Sequence, residues 1–246
     1  SSSSSSSSSS KQQDKMTDKP VLTYFDIEGL GECIRLAFTL NEVDFEDVRV
    51  DFKSEWPALK EKTPYGQLPT LKVGDKTFAQ SLAILMWAGK QGNGKAYPQE
   101  DMKKFEIDQA LMLIEDFAKA WTPAAYLPMR PSKFGYPDDF AETKEGKETI
   151  KALREKFVEE QIPLFCEKFV SMIKESGGFL CSSDEPTIAD FHLLPKIRNF
   201  QRGILDHVPT TCLDKFEDIN AYRDRVMSHP KIKEWYAAHP DKNANA

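Results

Sequence analysis

Between Val21 and Gln91 the hydrophobic period of the chain switches back and forth, and this alternation constrains the fold more than any other feature. The run VLTYF (21–25) has strand composition, whereas GECIRLAFTLNE (31–42) carries Ile34, Ala37, Phe38 and Leu40 at helical spacing. FEDVRVDF (45–52) alternates with a period of two, as a half-buried strand does. SEWPALKEK (54–62) reads as a short helix with Ser54 as N-cap and Pro57 in its tolerated first turn. TLKV and KTFA then flank Gly74-Asp75, the composition of a two-residue hairpin, and a further helix is expected over 81–91. The order β-α-β-α-β-β-α predicts a small α/β domain with a mixed sheet over residues 20–92.

Past the stretch QGNGKAYPQE (91–100) the character changes. Residues 99–121 place Met102, Phe105, Ile107, Leu111, Ile114 and Phe117 along a long helix, which a Pro-rich loop at 122–139 is expected to end. Further helices are expected over 141–175, 187–203, 213–228 and 231–238. The reading is a second, all-α domain spanning 99–240, joined through a Gly-rich linker at 91–96. Thr187 stands three residues before Asp190 at the start of an apolar helix, a capping box, and Asp190 is therefore assigned to folding and not to catalysis. Residues 1–19, with ten serines and a polar continuation, are expected to be disordered; they lack the apolar core of a secretory signal, and Met16 equally suits a start of translation.

Composition closes off several functions. A net charge of −6 argues against nucleic-acid binding, and the longest apolar stretch, 82–89, is far short of a membrane span. Cys33, Cys166, Cys181 and Cys212 form no C-x-x-C pair and no zinc spacing with the four histidines, so reduced thiols in a cytoplasmic protein without a metal are expected. The nucleophile-elbow, P-loop, dinucleotide and zincin motifs are absent from the sequence. GLGE (29–32) is a weak phosphate-loop signal, and a disulfide reductase would need a thiol pair where this chain has Tyr24.

LTYFDIEGLGECIRLAF, EWPALKEKTPYGQLPTL and AQSLAI, in this order and spacing, resemble the glutathione-binding domain of cytosolic glutathione S-transferases, with the sigma-like class that includes haematopoietic-type prostaglandin D synthases as the nearest pattern. The resemblance implies a thioredoxin-like N-terminal domain, an all-helical C-terminal domain, a homodimer, and glutathione as co-substrate with small hydrophobic electrophiles. Tyr24 matches the family's catalytic hydroxyl, which would hydrogen-bond the glutathione sulfur. Such a bond to a charged group is worth about 1.5–3 kcal/mol, roughly one to two pKa units, enough to make thiolate the main species. Leu68 would pair its backbone with the cysteinyl part as an added strand does, ahead of Pro69, whose preceding bond is cis in the family. Gln80 and Ser81 would receive the γ-glutamyl carboxylate at a helix start, Ser81 as N-cap.

The resemblance further assigns Trp56, Lys60 and Gln67 to glutathione, and either Glu115 or Asp116 to the γ-glutamyl amine of a neighbouring subunit. Phe25, Ile27, Met112 and Tyr126 are candidates for the electrophile pocket, with core packing as the alternative for each. Tyr65 falls where some classes insert an aromatic key into the partner subunit. Leu30 stands where sigma-like relatives often carry a thiolate-assisting arginine, a departure that argues against prostaglandin isomerase activity. Conjugation is the expected reaction; a glutathione-dependent isomerase or peroxidase, or a non-catalytic binding module, are the alternatives.

Overall fold

The computed structural model describes residues 18–240, so the expected disordered tail lies, through residue 17, outside the described residues. Four strands, β1 (Val21–Phe25), β2 (Glu46–Val50), β3 (Thr70–Val73) and β4 (Lys76–Ala79), form one sheet in the order β2-β1-β3-β4. β1 runs parallel to β2, with Val21 opposite Glu46, and antiparallel to β3, with Leu22 opposite Leu71. Gly74, at φ +57°, turns β3 into β4, where an L side chain would be strained. Alternation along β1 sends Leu22 and Tyr24 inward. This is the expected thioredoxin-like arrangement followed by a helical domain.

Helix α1 (Glu32–Leu40) is buried on nearly every side, because it lies against α3 (Ser81–Ala88) and also against α7 (Ile188–Gln201) and α9 (Pro230–Ala238). One continuous core therefore runs from Leu22, Phe38 and Leu85 to Leu111, Phe117 and Phe191. The junction is hydrogen-bonded as well. Asn41 donates to the carbonyls of Ala88 and Gly89 (3.2 and 2.8 Å) and accepts from the Ala96 N–H (3.0 Å), fixing the linker. Asp190 is fully buried at the start of α7; it accepts from Thr187 N (2.6 Å), Leu180 N (2.8 Å) and the Tyr222 hydroxyl (2.9 Å). Its structural assignment fits these bonds.

Four local expectations need correction. The short α2 (Trp56–Lys60) is not capped by Ser54; Asp51 accepts from Lys53 N and Ser54 N (3.0 and 2.7 Å), and Glu55 accepts from Asp51 N (2.7 Å). The long α4 (Asp101–Tyr126) does not stop at residue 121 but passes through Pro123. Burial of Ala124 and Leu127, together with the Arg154 guanidinium on the Ala124 carbonyl (3.2 Å), holds this last turn. The expected helix over 141–175 is α5 (Lys144–Lys156) and α6 (Ile162–Ser176) with a π turn between them at Phe157–Gln161. Pro163 has no N–H to bond the carbonyl four residues back, and the ladder widens just before it. α8 begins at Glu217, later than residue 213, because residues 213–216 close a turn with Phe216 N on the Leu213 carbonyl (3.0 Å).

Candidate active site

Tyr24 ends β1 with its ring beneath the loop that enters α1, and only 6% of the residue is exposed. Its hydroxyl accepts the Leu30 N–H at 3.0 Å. Glycines make this approach feasible: a Cβ on Gly29 would fall 2.5 Å from the hydroxyl oxygen, and one on Gly31 2.6 Å from ring Cδ1. The GLG run is therefore a lid fitted to the tyrosine, not a phosphate loop. Burial pushes the hydroxyl pKa up to about 12, with the Leu30 N–H and the Arg35 charge opposing, so the group is protonated at neutral pH and can donate. A hydroxyl that already accepts from a backbone N–H is polarised toward giving up its own hydrogen bond.

Around this centre the clamp residues take distinct places. The Leu68–Pro69 bond is cis, and among the described residues nothing bonds the Leu68 N–H or C=O. Gln80 is exposed, sits at φ +75°, ψ +104°, and provides the cap position of α3, so Ser81 is the first helical residue and not the cap. No side chain caps this terminus, which leaves the first N–H groups of α3 for an anion. Trp56 packs edge-on against Phe25 (5.5 Å between ring centres), and the Lys60 stem passes Gly66. Gln67 is exposed beside Leu68. Phe25 thus belongs to an aromatic group with Phe52 and Trp56 on the α2 side. Ile27, Met112 and Tyr126 are exposed apolar groups, and the Tyr126 phenol lies near enough to act on the Tyr24 pKa.

The two candidate carboxylates of α4 point differently. Glu115 turns into the chain and meets His192 Nε2 at 2.6 Å, while Asp116 faces outward with a 3.3 Å contact to Lys119. Pockets of about 340 Å³ beside Trp235 and about 480 Å³ beside His207 are lined by residues other than Tyr24 and its neighbours.

Sequence reasoning missed a set of ion pairs under the Tyr24 loop. The fully buried Arg35 bonds Glu32 (3.1 Å), Asp47 (3.0 Å) and the Ile27 carbonyl (2.9 Å), with its guanidinium 5.9 Å from the Tyr24 ring centre. Glu32 also accepts from Trp235 Nε1 (2.8 Å) in α9, and Glu28 pairs with Arg198 (2.8 Å) in α7. Glu32 and Arg35, three apart on a helix with no exposed face, were the available signal.

The fold, a four-stranded mixed sheet domain followed by a helical domain, is the one its relatives share. Residues 20–89 match the glutathione S-transferase N-terminal domain, and residues 139–239 match the corresponding C-terminal domain. Glutathione S-transferase 1 of Ascaris suum is 34% identical over 89% of this chain and 96% of its own. Among solved structures, prostaglandin synthase D of Nilaparvata lugens is 31% identical, with a TM-score of 0.73 over 91% of this chain and 99% of that one. A monomeric glutathione S-transferase of the hookworm Necator americanus is 28% identical, with a TM-score of 0.69 over 92% and 99%. The chain belongs to the glutathione S-transferase family and is a transferase, and that family uses glutathione as substrate. Among the described residues no helix is long and apolar enough to cross a membrane, and no group of three acidic, histidine or cysteine side chains is placed to hold a metal.

Proposed function

We propose that this chain binds glutathione along β3 and the start of α3, holds it as thiolate against Tyr24, and adds the sulfur to hydrophobic electrophiles lying toward Ile27, Met112 and Tyr126. The observation that carries the reading is the protonated Tyr24 hydroxyl, which accepts from Leu30 N–H at 3.0 Å and keeps its own proton to donate to sulfur. Leu68 supplies the strand-like backbone pair next to Pro69. Ser81, Gln80 and the uncapped end of α3 receive the γ-glutamyl carboxylate, while Trp56, Lys60 and Gln67 surround the remainder. Asp116, the outward carboxylate, is the better candidate for the amine of a neighbouring subunit's glutathione.

We place the protein in the sigma-like class, as a cytoplasmic homodimer. Tyr65, 66% exposed, and Phe105, 64% exposed, offer apolar surface for the partner. Measured on purified protein with chlorodinitrobenzene, Tyr24→Phe should retain glutathione binding and lose about ten- to a hundredfold in turnover, the worth of a hydrogen bond to a charged sulfur. Unchanged turnover would refute the role of Tyr24. The likeness to a prostaglandin synthase favours testing isomerase activity in the same panel, although Leu30 supplies no cation there.

A further inference from the structure

A second polar group lies where α1, α4 and α7 meet. Glu115 of α4 faces His192 Nε2 at 2.6 Å, and Lys196 of α7 places Nζ 3.3 Å from His192 Nδ1 and 3.0 Å from the His192 carbonyl. Burial and the Lys196 charge push the His192 pKa down to about 4, while the hydrogen bond from His192 holds the Glu115 carboxyl below its ordinary range. The imidazole is therefore neutral, giving Nε2–H to Glu115 and accepting from Lys196 at Nδ1. Lysine has three donors; two are used on His192, and the further 3.5 Å contact to Nε2 meets a nitrogen whose proton goes to Glu115. Among the described residues Nζ has no other hydrogen-bond acceptor, and no carboxylate lies within 4.0 Å of it.

The group belongs to the same face as the electrophile residues. At about 3.6 residues per turn, Met112, Glu115 and Tyr126 fall within about 60° of one another on α4. Tyr126 acts on the Tyr24 hydroxyl at one end of this stripe. At the other end, the half-buried Lys196 acts on Cys33, whose thiol bonds the Leu30 carbonyl at 3.3 Å. With Glu115 anionic, His192 neutral and Lys196 cationic, the group is neutral overall. It offers little to a substrate that is already an anion, and more to an oxygen that becomes negative during reaction.

We propose that Lys196, oriented by the His192–Glu115 pair, is a further catalytic residue that serves electrophiles whose accepting atom passes charge to an oxygen, such as conjugated carbonyl compounds. This assignment rests on the glutathione-conjugating reading. The thiolate sulfur bonds the β-carbon, the C=C pair shifts to form an enolate, and the carbonyl pair moves onto oxygen. That oxygen takes the third Nζ proton, leaving neutral Lys196. The enol reverts to the carbonyl in water, and Lys196 recovers a proton equivalent to the one shed by the glutathione thiol. His192 and Glu115 act as positioning residues.

The test compares trans-2-hexenal with benzyl chloride, whose leaving chloride carries the charge away and asks nothing of Lys196. Lys196→Met should lower kcat/KM for hexenal at least tenfold more than for benzyl chloride, and Lys196→Arg should restore most of that ratio. In the wild-type protein the hexenal-to-chloride ratio should fall with rising pH as the ammonium is lost, and the fall should come below the ordinary lysine value of about 10.4, since burial lowers the Lys196 pKa. The groups facing it are Cys33 from α1, Glu115 from α4 and His192 from its own helix; Cys33 is pushed up to about 11, above the ordinary lysine value. Equal losses for both substrates, or a wild-type ratio flat with pH, overturn the assignment; the pH arm decides alone if Lys196→Met fails to fold. Wild-type protein that turns over neither substrate overturns the conjugation reading, and this one with it.

Discussion

Gly31→Ala isolates the fit between the α1 loop and Tyr24, the proposed thiolate-stabilising residue. The backbone there has φ −82° and ψ −30°, which alanine adopts freely, so any penalty comes from the new methyl. That methyl would lie 2.6 Å from Tyr24 Cδ1 and 2.8 Å from Cγ, and the ring must withdraw by about 1 Å to restore ordinary contact near 3.5 Å. Overpacking of this kind costs about 1–3 kcal/mol, hence a fall of roughly 2–12 °C in Tm for a chain of this size. A 1 Å misplacement of the hydroxyl costs about a hundredfold in turnover. Chlorodinitrobenzene turnover, glutathione affinity by calorimetry and thermal melting together read the three effects: a large loss of kcat, near-native glutathione binding and a modest drop in Tm. Because both changes act through one hydroxyl, Gly31→Ala added to Tyr24→Phe should slow the enzyme by no more than about threefold further. A single variant within threefold of wild type, or losses that multiply, would show that the loop does not set the tyrosine.

Ser81→Ala should weaken glutathione binding by about tenfold or more, as befits a hydrogen bond to a carboxylate, and calorimetry measures it. Tyr65→Ala should shift sedimentation toward monomer at micromolar concentration; a fully dimeric variant removes that contact from the interface. Stability should also depend on pH through His192, whose pKa drops from 6.5 to about 4 on folding. The unfolded chain binds the extra proton between these values, so stability present above pH 6.5 is lost as pH falls toward 4. About 2 kcal/mol should disappear between about pH 7 and 5 by urea titration, with the slope flattened in His192→Gln.

Elements with a strong period were legible in the sequence, because burial on one face imposes that period: Leu22 and Tyr24 in β1, and Ile34 and Phe38 in α1, lie inward as expected. The capping box at Thr187 and Asp190 was equally plain, since its three-residue spacing is local. Proline misled in α4, where Pro123 sits inside a helix whose last turn keeps Leu127 N on the Pro123 carbonyl (3.1 Å) and is held as well by burial of Ala124 and Leu127 and by Arg154. Gln80 and Ser81 were identified as a pair but one position out of phase, because a positive φ at a glutamine leaves no trace in composition. Gly29 and Gly31 gave only a weak phosphate-loop signal in the sequence, and nothing local marked the Tyr24 ring they accommodate. The pairs Glu28–Arg198 and Glu32–Trp235 join residues 170 and 203 positions apart, and no local pattern reaches that far.

Those long-range pairs have a consequence for how the two halves can be exchanged. Glu28 and Glu32 flank Gly29 and Gly31, so the segment that fits over Tyr24 is anchored in α7 and α9, within the helical half. A chimaera that kept the first ninety residues or so and borrowed another helical half would leave the buried Glu28 without Arg198, and Glu32 with Arg35 but without Trp235. Such a hybrid would inherit a new electrophile pocket together with a displaced tyrosine. Grafting specificity into this scaffold therefore requires carrying Arg198 and Trp235 along with the lining residues, as one inseparable unit.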